Sequence, residues 1–154
     1  MLKIVFVCTG NICRSPMAEG LLRHKWQARG RDDLDVSSMG IHGLDREPAT
    51  PQAQQICAAH GADISDHRSR PVDGEELRSA DLVLCMEPAQ RDFIRTFFPW
   101  FRERVDLLGA WPEKATRKSV VKDPIGGSDA LYRKVFERID RHIDRILPLL
   151  EDMA

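Results

Sequence analysis

Long hydrophobic runs are missing from this sequence. Stretches such as Ile4 to Cys8 and Leu82 to Met86 stop after five residues, far short of the roughly 20 that a membrane-spanning helix needs. An excess of one charge is missing too: 23 Lys+Arg against 24 Asp+Glu give a formal net charge of −1. That balance removes the electrostatic basis for non-specific binding to nucleic acid or to an anionic membrane, while leaving room for a local basic pocket. There is no low-complexity linker and no internal repeat. The opening Met1-Leu2-Lys3-Ile4-Val5-Phe6-Val7 is too brief for a signal-peptide core, and no small-residue cleavage site follows it, so it reads as part of the mature fold. What is present is ordinary for a soluble globular protein: 154 residues, 42% hydrophobic and 31% charged, an expected single domain over 1–154.

Cysteine is sparse but even in number: Cys8, Cys13, Cys57 and Cys85. A disulfide framework is disfavoured, because a chain of this length builds an adequate apolar core and, without a secretory leader, its thiols stay reduced in a cytoplasmic setting. Zinc fits poorly as well, since Cys8 and Cys13 lack a second close Cys/His pair to complete four ligands. Neither a metal nor a cofactor is expected, and the cysteines become candidates for reactive thiols.

Leu2 to Val7 is rich in β-branched and aromatic residues and reads as a strand buried on both faces, ending at Cys8. A short loop, Thr9 to Arg14, leads to Ser15-Pro16, a preferred N-cap followed by proline at the first helical position. Met17, Ala18, Leu21, Leu22 and Trp26 continue at helical spacing, and Gly30 marks a stop. The alternation then repeats. Strands are expected near 34–38, 81–86 and 105–108, and helices near 50–60, 88–98 and 128–147, the last capped by Ser128. The expected fold is therefore α/β and three-layered: a four-stranded parallel sheet with helices on both faces. Ligands bind such sheets at the carboxyl ends of the strands, where Cys8 sits. The long stretch Gly109 to Gly127 reads as a functional loop.

Between Cys8 and Arg14 lie five residues on a turn from a buried strand into a helix. A helix N-terminus and a neighbouring guanidinium both favour the thiolate form of a cysteine, which is the nucleophile. Thr9, Gly10, Asn11, Ile12 and Cys13 can turn their N–H groups inward as an anion nest, with Gly10 and Asn11 the residue types that tolerate left-handed backbone. Arg14 can grip two phosphate oxygens at once. Ser15 can cap the helix or give its hydroxyl to Cys8.

Val7-Cys8-Thr9-Gly10-Asn11-Ile12-Cys13-Arg14-Ser15-Pro16-Met17-Ala18-Glu19 resembles the signature of the low-molecular-weight protein tyrosine phosphatases. Ser38-Met39-Gly40, Asp66-His67-Arg68-Ser69-Arg70, Leu84-Cys85-Met86-Glu87 and Leu107-Leu108-Gly109 resemble further family segments, so the likeness runs along nearly the whole chain. The resemblance implies a protein phosphatase that hydrolyses phosphotyrosine through a phosphocysteine on Cys8, releasing inorganic phosphate. It implies substrate binding by the loop from Thr9 to Ser15, with Asp123 of Asp123-Pro124 as general acid and base. Asp129, in the first turn of the last helix, is a weaker candidate for that role. By the same resemblance Asn11 holds the loop shape, Ser38 and His67 support it, and Cys13 guards the nucleophile as a redox partner.

Two segments depart from the family pattern. Ile125, Gly126, Gly127 and Ser128 replace the tyrosines that often follow Asp-Pro, and the variable loop reads His42-Gly43-Leu44-Asp45. The less aromatic rim resembles bacterial members that act on tyrosine kinases of exopolysaccharide export. The one tyrosine, Tyr132, lies a helical turn later, so control by tyrosine phosphorylation is not expected to carry over. Two rivals share the loop: an arsenate reductase, for which the stretch Glu87 to Phe98 lacks a second relay cysteine beyond Cys85, and a non-catalytic phosphopeptide-binding module, which has no use for Cys8 and Asp123 together.

Overall fold

Four strands, β1 (Leu2–Cys8), β2 (Leu34–Gly40), β3 (Leu82–Cys85) and β4 (Val105–Leu107), form one sheet in the order β2-β1-β3-β4. Every pairing is parallel, with Ile4 of β1 level with Val36 on one side and Leu82 on the other. This is a computed structural model that describes residues 1–154. Five helices connect and flank the strands: α1 (Arg14–Ala28), α2 (Pro51–Ala59), α3 (Gly74–Ser79), α4 (Pro88–Phe97) and α5 (Asp129–Met153). None is long and apolar enough to cross a membrane.

Strand alternation divides the interior in two. Leu2, Ile4, Phe6 and Cys8 of β1 pack with Leu82 and Leu84 of β3 against α1, α2 and α5, while Val5, Val7, Val83, Cys85, Val105 and Leu107 face Leu77 of α3 and Ile94 of α4. The expected three layers are therefore present. The chain first runs from β1 outward to β2, then returns to place β3 on the other side of β1. That reversal opens a crevice between the carboxyl ends of β1 and β3.

Three local expectations need correction. α1 begins at Arg14, with Cys13 in the N-cap position and no side-chain cap, so Ser15 lies inside the first turn. Its hydroxyl is drawn instead to Cys8. The short α3 and the 3-10 turns Pro99–Arg104 and Arg117–Ser119 carry too few apolar repeats to be seen in the pattern. Finally, α5 does not stop near Leu147 but continues through Pro148 to Met153. Proline inside a helix costs about 3 kcal/mol. Burial of Leu147 and Leu150, 2% and 0% exposed, returns about 1.5–3 kcal/mol each. The partly exposed ion pairs of Glu151 with Arg29 and Arg31 add little beside that.

Leu150→Ala is accordingly expected to lower the unfolding free energy by about 2–5 kcal/mol. Leu149→Ala, on the outer side of the same turn, should change it by less than about 1 kcal/mol. Urea titrations of the two variants check this, and equal effects would show that the last turns are not anchored by the core.

Candidate active site

The loop after β1 is shaped by where its carbonyl groups go. Cys8 O accepts from Ile41 N at 3.0 Å, Thr9 O from His42 N at 3.0 Å, Gly10 O from Leu44 N at 3.3 Å and Ile12 O from Thr50 N at 2.9 Å. Asn11 O accepts from His67 Nε2 at 2.7 Å. With the carbonyls turned out and tied to surrounding segments, the N–H groups of Gly10, Ile12, Cys13 and Arg14 donate to no backbone carbonyl. They remain as an anion-binding concavity at the start of α1. Gly40 permits the close wrapping of this loop, since a Cβ there would stand 2.4 Å from Thr9 O.

Asn11 holds the turn. Its φ of 60° is left-handed, whereas Gly10, contrary to expectation, does not use the left-handed region. Asn11 Nδ2 donates to Ser15 Oγ at 2.8 Å and to Ser38 Oγ at 2.9 Å, and its Oδ1 accepts from Arg70 N at 3.0 Å. Ser38 Oγ in turn donates to Glu19 Oε1 at 2.7 Å. Because Ser15 Oγ accepts from Asn11, its own hydrogen is free for Cys8 Sγ, 2.9 Å away. Asn11 N donates to the same sulfur at 3.3 Å. Two donors thus converge on the Cys8 sulfur, the arrangement that suits a thiolate nucleophile. His67 supports the loop as a donor through Nε2, and burial holds its pKa below the ordinary 6.5.

Arg14 is fully inside, its side chain 2% exposed. Buried guanidinium needs a counter-charge, and Nη1 donates to both Glu87 Oε1 and Val121 O, each at 2.9 Å. That leaves the Nε–Nη2 edge: Nε has no hydrogen-bond partner within the protein, and Nη2 stands 3.6 Å from Asp123 Oδ2. This edge has the fork geometry that fits two oxygens of a phosphate. Asp123 is carried there by the long loop before α5, which is less free than its length suggests. Val121 N is bonded to Met86 O beyond the end of β3, at 3.0 Å. Asp123 Oδ1 accepts from Ile125 N at 3.0 Å and from the Cys13 thiol at 3.6 Å. Asp129 is occupied by Gln52 Nε2 at 2.8 Å in the first turn of α5 and stands in a structural role.

The other thiols separate cleanly. Burial, with the negative charges of Cys8 and Asp123, pushes the Cys13 pKa up to about 12. Burial alone does the same to Cys57. Cys85 is raised as well and packs on the opposite face of the sheet from Cys8, out of place for relaying a disulfide to Cys8. Tyr132 is buried at 2% exposure, which keeps its hydroxyl from a kinase. At the mouth lie Ile12, Leu44 and Pro48 together with the acidic Asp45 and Glu47, with Ile125 half exposed beyond Asp123. The His42 ring lies 6.5 Å from that of Phe93 on α4, an aromatic neighbour that sequence reading overlooked.

Sequence reading also overlooked Glu87 and Gln90. Gln90 Oε1 accepts from Glu87 N at 2.7 Å, and its Nε2 donates to Thr9 Oγ1 at 3.0 Å, joining α4 to the loop. The signal was present: an E-x-x-Q spacing at a helix start, directly after a buried strand.

Alkylation with iodoacetate near pH 7, mapped by mass spectrometry, should label Cys8 and be blocked by inorganic phosphate. Cys13, whose thiol burial and the nearby negative charges hold protonated, should be spared. Equal labelling of both, or no protection by phosphate, would contradict this geometry.

The model of the family described as low molecular weight phosphotyrosine protein phosphatase matches residues 3–153. The chain is 36% identical over 151 residues to the probable low molecular weight protein-tyrosine-phosphatase EpsP of Ralstonia nicotianae, covering 98% of this chain and 97% of that protein. It is 32% identical, covering 97% of each, to the protein-arginine-phosphatase of Bacillus subtilis. Among solved structures it resembles the low molecular weight protein tyrosine phosphatase from T. tengcongensis, with a TM-score of 0.88 at 32% identity, covering 96% of this chain and 99% of that one. The chain belongs to the low molecular weight phosphotyrosine protein phosphatase family.

Proposed function

We propose that this protein hydrolyses phosphotyrosine in protein substrates by way of a phosphocysteine, acting as one domain over residues 1–154. The observation that carries the reading is the convergence of Cys8, an inward-facing set of loop N–H groups and the free edge of Arg14, with Asp123 beside them.

The phosphate's non-bridging oxygens would be held by the loop amides from Thr9 to Ser15 and by Arg14 Nε and Nη2. Cys8 Sγ attacks phosphorus in line with the leaving phenolate. The S–P bond forms as the P–O bond to the ring breaks, while the protonated Asp123 carboxyl delivers its proton to the departing oxygen. Asp123, now a carboxylate, takes a proton from a water whose oxygen attacks phosphorus. The P–S bond breaks, inorganic phosphate leaves and the thiolate returns. Ser15 and Asn11 N stabilise the sulfur as it departs, and every group needed is an amino-acid side chain or amide.

The aliphatic mouth of Ile12, Leu44 and Ile125 supports a flat aryl ring as the group bearing the phosphate. Within that class, the rim composition favours a bacterial tyrosine kinase of exopolysaccharide export as substrate, in the cytoplasm where reduced thiols persist. Similarity to the arginine phosphatase of Bacillus subtilis supports a second reading, cleavage of a P–N bond by the same loop. Asp45 and Glu47 beside Leu44 and Pro48 could accept from a guanidinium, so the choice between the two rests on the substrate test below. Cys13 is assigned as redox guard: after a peroxide oxidises Cys8 to a sulfenic acid, attack by the Cys13 sulfur would release water and form a disulfide.

Purified protein is expected to hydrolyse p-nitrophenyl phosphate and phosphotyrosine peptides without response to chelator. Cys8→Ser should abolish turnover. Asp123→Ala should lower kcat by about 100-fold or more on phosphotyrosine peptides, and by less on p-nitrophenyl phosphate, whose leaving group needs little protonation. Full activity of Cys8→Ser would sink the mechanism. Preference for phosphoarginine would select the second reading, peptide binding without turnover would select a binding module, and thiol-dependent arsenate reduction alone would select a reductase.

A further inference from the structure

Outside the phosphate loop, the densest unpaired charge lies in a groove of about 520 Å³ between α5 and the segment leading to Asp123. Arg117, Lys118 and Lys122 line one side, and Lys134, Arg138 and Arg141 line the other; the remaining lining side chains are aliphatic and none is acidic. None of these six cations takes part in an ion pair.

α5 sorts its charges by face. Asp140, Asp144 and Glu151 turn toward α1 and pair with Lys25, Arg29 and Arg31. Lys134, Arg138 and Arg141, at steps of four and three, line the groove together, while Glu137 between them lines a different hollow and pairs with none of them. Like charges at these spacings weaken a helix slightly, so folding alone does not favour the cluster. Arg138 is held in the groove by donating to Lys118 O, while its buried Nε has no partner. The positive field reaches a neighbour: burial, aided by Arg145, Arg138 and Arg141, brings the His142 pKa down to about 4.

The groove adjoins the reaction centre. Lys122 immediately precedes Asp123, whose carboxylate is 3.6 Å from Arg14. Leu131, also in the lining, covers the loop after Asp123, its Cδ2 2.5 Å from where a Cβ on Gly127 would stand. From Lys134 to Arg141 the helix rises about 10 Å, the length of roughly three extended residues. With these six cations set aside, the chain holds 24 acidic residues against 17 basic. That overall excess of negative charge disfavours a long polyanion or an anionic bilayer as the occupant. A short acidic segment fits.

We propose that this groove docks an acidic stretch of the phosphoprotein substrate, a few residues away from the phosphotyrosine that enters the Cys8 loop. The inference rests on the phosphatase reading and deepens it, because it assigns substrate choice to charge beside the site rather than to the mouth itself. Complementary charge at such a rim raises the encounter rate and fixes register, and it is screened by salt.

The test compares phosphotyrosine peptides of equal length, flanked on the N- or C-terminal side by Asp/Glu or by Ser/Gln, in the full-length protein and in Lys134→Glu/Arg141→Glu. At low salt an acid-flanked peptide should show a KM lower by about tenfold, with kcat similar. The difference should collapse in the double variant and near 0.5 M salt. Hydrolysis of p-nitrophenyl phosphate should be the same in both proteins, which also reports intact folding. Arg133→Glu, a charge reversal on α5 in a different hollow, should keep the preference. Equal KM values for acidic and neutral peptides in the unaltered protein, or equal loss in Arg133→Glu, would overturn the assignment. So would groove-dependent binding of a single-stranded oligonucleotide or phosphatidylserine vesicle with no peptide preference. A protein inert toward p-nitrophenyl phosphate removes the phosphatase reading and the docking site with it. Full activity without acid preference removes the docking site alone.

Discussion

Everything at the mouth depends on one backbone constraint: the carbonyls of the loop after β1 must point outward. Asn11 imposes the reversal by adopting left-handed φ, and its side chain offsets that strain with three hydrogen bonds, to Ser15, Ser38 and the Arg70 amide. Left-handed backbone costs roughly 1–2 kcal/mol for a residue with a side chain. Buried hydrogen bonds at about 1 kcal/mol apiece cover such a cost. Glycine would adopt the angle freely but would leave Ser15 and Ser38 without their donor, and the sulfur without a serine aimed at it.

A second constraint is electrostatic. Arg14 is buried beneath the loop, where an unpaired guanidinium would be strongly unfavourable. Glu87 and the Val121 carbonyl satisfy one nitrogen and fix the plane of the group. Fixing that plane sets the direction of the remaining edge, so the same contacts that make burial tolerable also orient the edge proposed to grip phosphate. Val121 connects this to the proposed general acid: it is bonded to Met86 just beyond β3, holds Arg14, and lies two residues before Asp123. The sheet's reversal of direction between β1 and β3 is what brings these pieces to one crevice.

Cys8 and Arg14 were legible as candidates because their context is local: a strand end, a short turn and a helix start; Asp123 was singled out only through the family resemblance, since Asp-Pro by itself reads as a turn. The layers were legible from alternation and helical spacing. Glu87, Gln90, Val121 and the Arg70 amide were not, since each serves the loop from more than fifty residues away; the E-x-x-Q spacing of Glu87 and Gln90 reports a helix start but not the reach to Arg14 and Thr9. Of the two uses open to Ser15, capping the helix or giving its hydroxyl to Cys8, the structure has the second, because the Asn11 and Cys8 pair holds that hydroxyl and Cys13 occupies the N-cap position. Pro148 misled because the burial that carries α5 past it is tertiary. Net charge concealed both concentrations of positive charge, the buried Arg14 and the groove beside Asp123.

The central claim is that the phosphoryl group passes through the Cys8 sulfur. Mixing the protein with a phosphotyrosine peptide, quenching within milliseconds and locating phosphate by mass spectrometry tests it most directly. Phosphate carried on Cys8, forming before inorganic phosphate appears and decaying at the turnover rate, is the predicted result. Turnover with no phosphorylated protein, or with the phosphate on another residue, would contradict it.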